Sequence, residues 1–313
     1  MVSGHSNSIS HRATLSVILF VSNPGKDALL IRTALERQLR RPDEVMVVDS
    51  GSTDGSTSIW SGNNYRVYSI AKADFRFGGT RNLGASRARG EIIVFLNQDA
   101  LLADEHCLGN LVFPIETGLV EAAYARHVPK EDADLLERFT RGFNYPVRSR
   151  TQSLADVAKL GFKAFFFSNV CSAVRSNVFW EVGGFPEDVI MAEDAILCAK
   201  LLRAGYKVKY EAEARVFHSH NLGMLQQFKR NFDVGVSVAQ ARSTLEGASV
   251  TREGFRFIAG QARYVYRAGD YLGLLRVFAE AAAKYLGFSL GKREHYIPRA
   301  VKRRLSYYSW FWS

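Results

Sequence analysis

Glu44-Val45-Met46-Val47-Val48-Asp49, running on into Ser50-Gly51-Ser52-Thr53-Asp54-Gly55, is an apolar stretch that breaks directly into a loop of small and acidic residues. A short Val-rich run bounded by Gly and Ser reads as a buried strand. Upstream, the segment from about Lys26 to Leu39 has helical periodicity, and Leu15 to Val21 is a continuous β-type run, apolar but for Ser16. Downstream, Tyr65 to Ile70 reads as a strand, Thr80 to Ala88 as a helix and Glu91 to Leu96 as a strand buried on both faces. Strands alternating with helices imply an α/β fold whose mostly parallel sheet is covered on both sides. Asp49 and Asp54 are then expected just beyond the carboxyl end of a strand, where open parallel sheets bind ligands.

From Pro129 to Leu160 the pattern gives way to charged, aromatic-dotted sequence without clean strands, which reads as an insertion or a mobile loop region. Regularity returns at Cys171 to Val174, in a helix from Asp194 to Arg203, and in a strand pair near Lys207 to Tyr210 and Ala214 to His218. From about Leu225 the chain reads as helical. The expected organisation is a polar tail over 1–14, an α/β unit over 15–235 and a basic, aromatic-rich helical region over 236–313.

A chain of 313 residues with 47% hydrophobic content can bury a full core, so disorder is not the default. No apolar run approaches the roughly 20 residues that cross a bilayer, and the polar start has no signal-peptide core, so a cytoplasmic location is expected. Cys107, Cys171 and Cys198 lack metal-finger and CxxC spacing and read as buried reduced thiols. The net charge is +10, and residues 236–313 carry 13 Lys and Arg against 5 Asp and Glu. There, Lys292, Arg293, Arg299, Lys302, Arg303 and Arg304 interleave with Tyr296, Tyr307, Tyr308, Trp310, Phe311 and Trp312. That mixture suits the surface of an anionic membrane rather than nucleic acid. The other reading is a solvated basic helix whose aromatic residues fold back on the core.

Four acidic or imidazole groups stand where elements end. Asp49 could accept the N3 proton of a uracil or thymine ring. In Val94-Phe95-Leu96-Asn97-Gln98-Asp99, a buried strand runs straight into an acid able to hold Mg²⁺ or Mn²⁺. Glu193 and Asp194 open a helix, whose backbone amides should keep a carboxylate ionised and ready to take a proton. Capping explains one such acid, not two. His218 and His220 follow a strand, and a neutral imidazole there could complete a metal shell. A Rossmann dehydrogenase needs a glycine fingerprint after the first strand, and Ser22-Asn23-Pro24-Gly25 supplies none. A purely binding module does not explain acids at three such positions.

Taken in order, VVDSGSTDGS, GGTRNLGASRARGE, FLNQDA, GGFPEDVIMAED and VFHSHN resemble the inverting family-2 glycosyltransferases of GT-A fold, over roughly Leu15 to Phe232. FLNQDA, the TRN triplet, HSHN followed by QQFKRNFDVG, and KYLGFSLGK are similar to bacterial rhamnosyltransferases of polysaccharide assembly. The resemblance implies that Asp49 reads the base, that Ser50 and Asp54 lie close to the nucleotide, and that Arg81 and Asn82 contact base or phosphate. It aligns Asn97, Gln98 and Asp99 with a DxD metal motif, leaving Asp99 to carry the ion with His218 and His220 near it. Glu193 and Asp194 fall on the catalytic acid pair, with Asp194 as base. A loop that commonly reads Phe-x-His-Gly is here Phe75-Arg76-Phe77-Gly78. The implied reaction moves a sugar, L-rhamnose from dTDP-rhamnose foremost, onto a saccharide or polyprenyl-diphosphate-linked saccharide at the inner face of the cytoplasmic membrane. A UDP-hexose or UDP-N-acetylhexosamine transferase of the same fold, or a non-catalytic membrane-associated relative, are the alternatives.

Overall fold

In the computed structural model, residues 12–62, 64–246 and 251–312 are described, so most of the polar segment 1–14 lies outside the described residues. Nine strands form one sheet among the described residues. These are β1 (Leu15–Val21), β2 (Glu44–Ser50), β3 (Tyr65–Ile70), β4 (Ile92–Asn97), β5 (Leu101–Leu102), β6 (Ala122–Val128), β7 (Arg150–Gln152), β8 (Cys171–Arg175) and β9 (Val208–Phe217). The helices are α1 (Asp27–Glu36), α2 (Phe77–Ala85), α3 (Cys107–Glu116), α4 (Leu135–Asn144), α5 (Val157–Leu160), α6 (Ser176–Glu181) and α7 (Glu193–Arg203), then α8 (Met224–Gln240), α9 (Thr251–Arg267), α10 (Tyr271–Gly291) and α11 (Arg299–Leu305).

The strand order is β3-β2-β1-β4-β8-β6-β9-β5, with β7 also paired to β9. Strands β3, β2, β1 and β4 run parallel, and β8 enters antiparallel between β4 and β6. Alternation along each strand splits the core. Ile18, Phe20, Met46 and Val48 face the layer that holds α7, while Val17, Leu19, Val45 and Val47 face α1 and α3. Both faces are covered, which is why β1 shows no polar face to water. The three cysteines are buried and free.

Two expectations change. The 129–160 segment is not a mobile loop: it forms α4, β7 and α5, and α4 is amphipathic, with Leu136 buried against Val265 of α9. Its charges had masked the helical stripe. The strand pair after Lys207 is the single strand β9, whose register with β6 jumps between Ala125/Glu211 and Arg126/Arg215. That irregularity re-aims the second half of β9, which pairs with β5 and delivers His218 beside Asp99.

Helix α8 runs across residue 235 and packs along α10. A Cβ at Gly287 or Gly291 would come within 2.2 and 2.0 Å of the Phe228 and Phe232 carbonyl oxygens. Only glycine lets the two backbones approach so closely, which gives KYLGFSLGK a structural reason. No described helix is long and apolar enough to cross a membrane.

Candidate active site

The carboxyl ends of β1, β2 and β4 open on a cleft of about 470 Å³. Ser22 and Ser50 stand on one side, Arg81 on another, and Asn97, Gln98 and Asp99 at the β4 end. Asp49 is buried at the end of β2, where its carboxylate accepts the Ser52 N–H at 3.2 Å. Gln98 is tied to Ser22, accepting its N–H at 2.6 Å and donating to its carbonyl at 3.1 Å. Its amide therefore fixes the ends of β1 and β4 relative to each other.

Asp54 stands apart from the cleft lining. It accepts from Gly25 N–H at 2.8 Å and Ser56 Oγ at 2.6 Å, and the Ser56 hydroxyl draws its pKa down. Asn82 is likewise engaged locally. Its Nδ2 donates to the Phe185 carbonyl at 2.9 Å and to Glu187 at 2.7 Å, and its Oδ1 accepts the Phe185 N–H at 2.9 Å. That pattern clamps the Gly-rich loop before α7 onto α2.

Arg81, one turn into α2, is buried. Its Nη2 donates to Asn97 Oδ1 at 3.0 Å, and its Nη1 lies 3.4 Å from Glu193 Oε1. The guanidinium sits over the Phe20 ring at 5.0 Å. Its buried Nε has no hydrogen-bond partner among the described residues. One cation thus spans from the β4 end to the acid pair at the start of α7.

Glu193 and Asp194 begin α7 after Ala192, which adopts φ 63°. An Ala in the left-handed region costs on the order of 1 kcal/mol, so this entry is held by its surroundings. The sequence carries no sign of it. Glu193 also receives Asn169 Nδ2 at 3.4 Å, and Asn169, buried in the turn before β8, is a site residue with no pattern to betray it. The expectation that helix amides keep Asp194 ionised is corrected. Burial first, and the neighbouring Glu193 charge second, outweigh the Ala195 N–H and Arg81 and raise its pKa to about 7.

Asp99, His218 and His220 form a cluster whose ligand atoms lie within 4.8 Å of one another. Asp99 Oδ2 is 3.1 Å from His220 Nε2, and Oδ1 is 3.5 Å from His218 Nδ1. Burial would raise the Asp99 carboxyl, but the His220 hydrogen bond and the charge of both imidazoles hold it at about 2. Burial also lowers His218 to about 4, so its ring is neutral near pH 7. An ionised acid beside a neutral imidazole, with Asp99 Oδ1 buried and lacking a hydrogen-bond partner among the described residues, fits a divalent cation.

Behind this cluster lies a layer that sequence reading missed. His127 is buried, stacked on Tyr145 with ring centroids 3.9 Å apart and edge-on to His218 at 5.0 Å. Arg141 of α4 reaches its Nδ1 at 3.0 Å. A guanidinium can only donate, so Nδ1 accepts and Nε2–H donates to Ser168 Oγ at 3.2 Å. Glu137 accepts from Arg141 at 2.6 Å and from the His220 backbone N–H at 3.0 Å. The 129–160 segment therefore braces the His218–His220 strand end, a role that only its folded position reveals.

The chain is 38% identical over 304 residues to the O-antigen chain rhamnosyltransferase RfbN of Salmonella typhimurium strain LT2, covering 96% of each protein. It is 35% identical over 284 residues to the O-antigen chain rhamnosyltransferase WbaN of Salmonella anatum, covering 90% of this chain and 89% of that one. Its fold is similar to that of the mannosyltransferase PcManGT from Pyrobaculum calidifontis, solved in complex with GDP-Man and Mn²⁺. The TM-score is 0.58 at 17% identity, over 92% of this chain and 88% of the other. This likeness establishes the GT-A fold. The family model for glycosyl transferase family 2 matches residues 16–183, and with a relative aligned along 96% of both sequences the chain belongs to that family.

Proposed function

We propose that this protein transfers L-rhamnose from dTDP-rhamnose, with inversion at the anomeric carbon, onto a saccharide or polyprenyl-diphosphate-linked saccharide in bacterial surface-polysaccharide synthesis. The observation that carries the reading is the near end-to-end similarity to two O-antigen rhamnosyltransferases, joined to a cleft whose lining Arg81 reaches the acid pair through Glu193 and whose lining Asp99 belongs to an Asp–His cluster.

In this reading Asp49 and Ser50 receive the pyrimidine end of the donor. Asn97 and Gln98 shape the floor beneath the diphosphate, and Arg81 supplies positive charge between that floor and Glu193. Asp99, His218 and His220 would hold the divalent cation, whose chemistry when bound is to neutralise charge on the departing diphosphate. A carboxylate with two imidazoles suits Mn²⁺ better than Mg²⁺, which prefers oxygen ligands. Asp194 takes the proton from the acceptor hydroxyl as that oxygen attacks opposite the diphosphate, and its raised pKa places it well for proton transfer near neutrality. Glu193 holds Arg81 and so fixes the charge facing the donor.

The 15–235 unit carries these groups, with 236–313 as the helical addition. The addition also offers a route to the inner face of the membrane. Tyr271, Leu275 and Phe278 lie along one exposed face of α10 in a region of net positive charge. Flotation with anionic vesicles should carry the protein upward, and a protein left at the bottom of the gradient removes this part.

The donor is tested by thermal shift and transfer assays with dTDP-rhamnose and with UDP-sugars, each with Mn²⁺. Stabilisation and turnover with dTDP-rhamnose alone are expected. Turnover with a UDP-sugar would move the reading to the UDP-hexose or UDP-N-acetylhexosamine alternative.

A further inference from the structure

The C-terminal turn lies against the cleft. Trp310 and Phe311, in the 3₁₀ turn Ser309–Trp312, line it alongside Phe75, Arg76 and Phe77. The Trp310 ring is edge-on to Phe75 at 6.0 Å, the Arg76 guanidinium lies 5.1 Å from it, and Tyr308 meets Phe77 edge-on at 4.9 Å. For Tyr308, Trp310 and Phe311 the structure takes the alternative in which the aromatic residues fold back on the protein, because the turn is anchored there, while Tyr296 stays exposed. Asp233 of α8, fully buried, accepts the N–H groups of Tyr307 at 2.9 Å and Tyr308 at 3.0 Å through Oδ2. Phe311 packs with Phe232 and Val236 of the same helix and with Ile190 of the loop that leads to the acid pair.

We propose that Trp310 and Phe311 belong to the donor site and form, with Phe75 and Phe77, the apolar wall against which the nucleoside of the donor packs, Asp233 being the positioning residue that holds the wall in place. This rests on the reading of the cleft as a nucleotide-sugar site. The aromatic wall lines the same cleft as Ser50 at the end of β2 and Asn97 and Asp99 at the end of β4. Of the donor's parts, the diphosphate is charged and hydrated, whereas the heterocycle is flat and presents an apolar face suited to aromatic neighbours. The site is therefore built from both ends of the chain.

The test is a calorimetric titration, with Mn²⁺, of wild type and Trp310→Ala against whichever of dTDP and UDP the wild type binds, and against inorganic pyrophosphate. Trp310→Ala should lose about tenfold in nucleoside-diphosphate affinity, with pyrophosphate affinity kept within about twofold. Asp233→Ala should show the same split, and Asp233→Asn, which keeps an acceptor oxygen, should recover most of the loss. No loss for the nucleotide, or equal losses for both ligands, overturns the inference. Should Trp310→Ala not fold, 5-fluorotryptophan labelling decides. The Trp310 resonance, assigned through Trp310→Phe, should move with the nucleotide and stay put with pyrophosphate, and an unmoved resonance counts against the wall. A wild type that binds neither nucleotide removes the donor reading itself, and this inference with it.

Discussion

Arg81 and Glu193 meet at 3.4 Å inside the protein, and the same guanidinium reaches Asn97 at 3.0 Å, so one side chain couples the acid pair to the end of β4. A lysine at this position keeps the charge but lacks the planar fork that makes both contacts. Arg81→Lys should lower kcat about 10²-fold through misplacement of the reacting groups. Steady-state transfer assays give the answer, and an unchanged kcat would leave the coupling without functional weight.

Asp194→Asn removes the proposed base while keeping the shape of the site. Transfer should fall by about 10² to 10⁴, with nucleotide affinity within a few fold by calorimetry. Loss of nucleotide binding instead would reassign Asp194 to the donor.

The proton affinity of Asp194 predicts two pH effects. The base must be ionised, so kcat/KM should drop as pH falls through about 7. For stability the sign is opposite. Between the ordinary carboxyl value of 3.8 and about 7, the folded state holds a proton that the unfolded state releases, so stability declines as pH rises across that window. Asp194→Asn, which carries no charge to bury, should melt above wild type at pH 8, and the gap should narrow at pH 5. A gap independent of pH in differential scanning calorimetry would contradict the burial argument.

Asp99→Ala deletes the only carboxylate of the Asp–His cluster. Nucleoside-diphosphate binding that depends on Mn²⁺ should weaken at least about tenfold, and EDTA should have no further effect on the variant. Equal affinity of wild type and variant in Mn²⁺ would place the cation elsewhere.

Asn82 makes three hydrogen bonds to the loop before α7. Asn82→Ala should cost about 1–3 kcal/mol in urea denaturation by stranding partly buried partners, while nucleotide affinity changes little. A selective loss of nucleotide affinity at unchanged stability would instead make Asn82 a donor contact.

The primary sequence by itself determined the α/β layering, because runs such as Leu15–Val21 are apolar at every position but Ser16 and only a sheet covered on both faces can bury them. It also determined that Asp49 and Asp99 stand near strand ends, since Asp49 follows its apolar run directly and Asp99 comes two residues after Asn97, the last of β4. Helix limits were less legible: α2 begins at Phe77 rather than Thr80, in a glycine-containing stretch with little periodicity. Tertiary structure alone decided the rest. Charged residues hid α4, and the pairing of Arg81 with Glu193 joins two residues far apart in the chain, which no local pattern could predict. The raised pKa of Asp194 depends on burial, which exists only once α7 is packed. Trp310 and Phe311 lie beside the cleft because Asp233 captures the backbone amides of Tyr307 and Tyr308, a pairing that no reading of composition could supply.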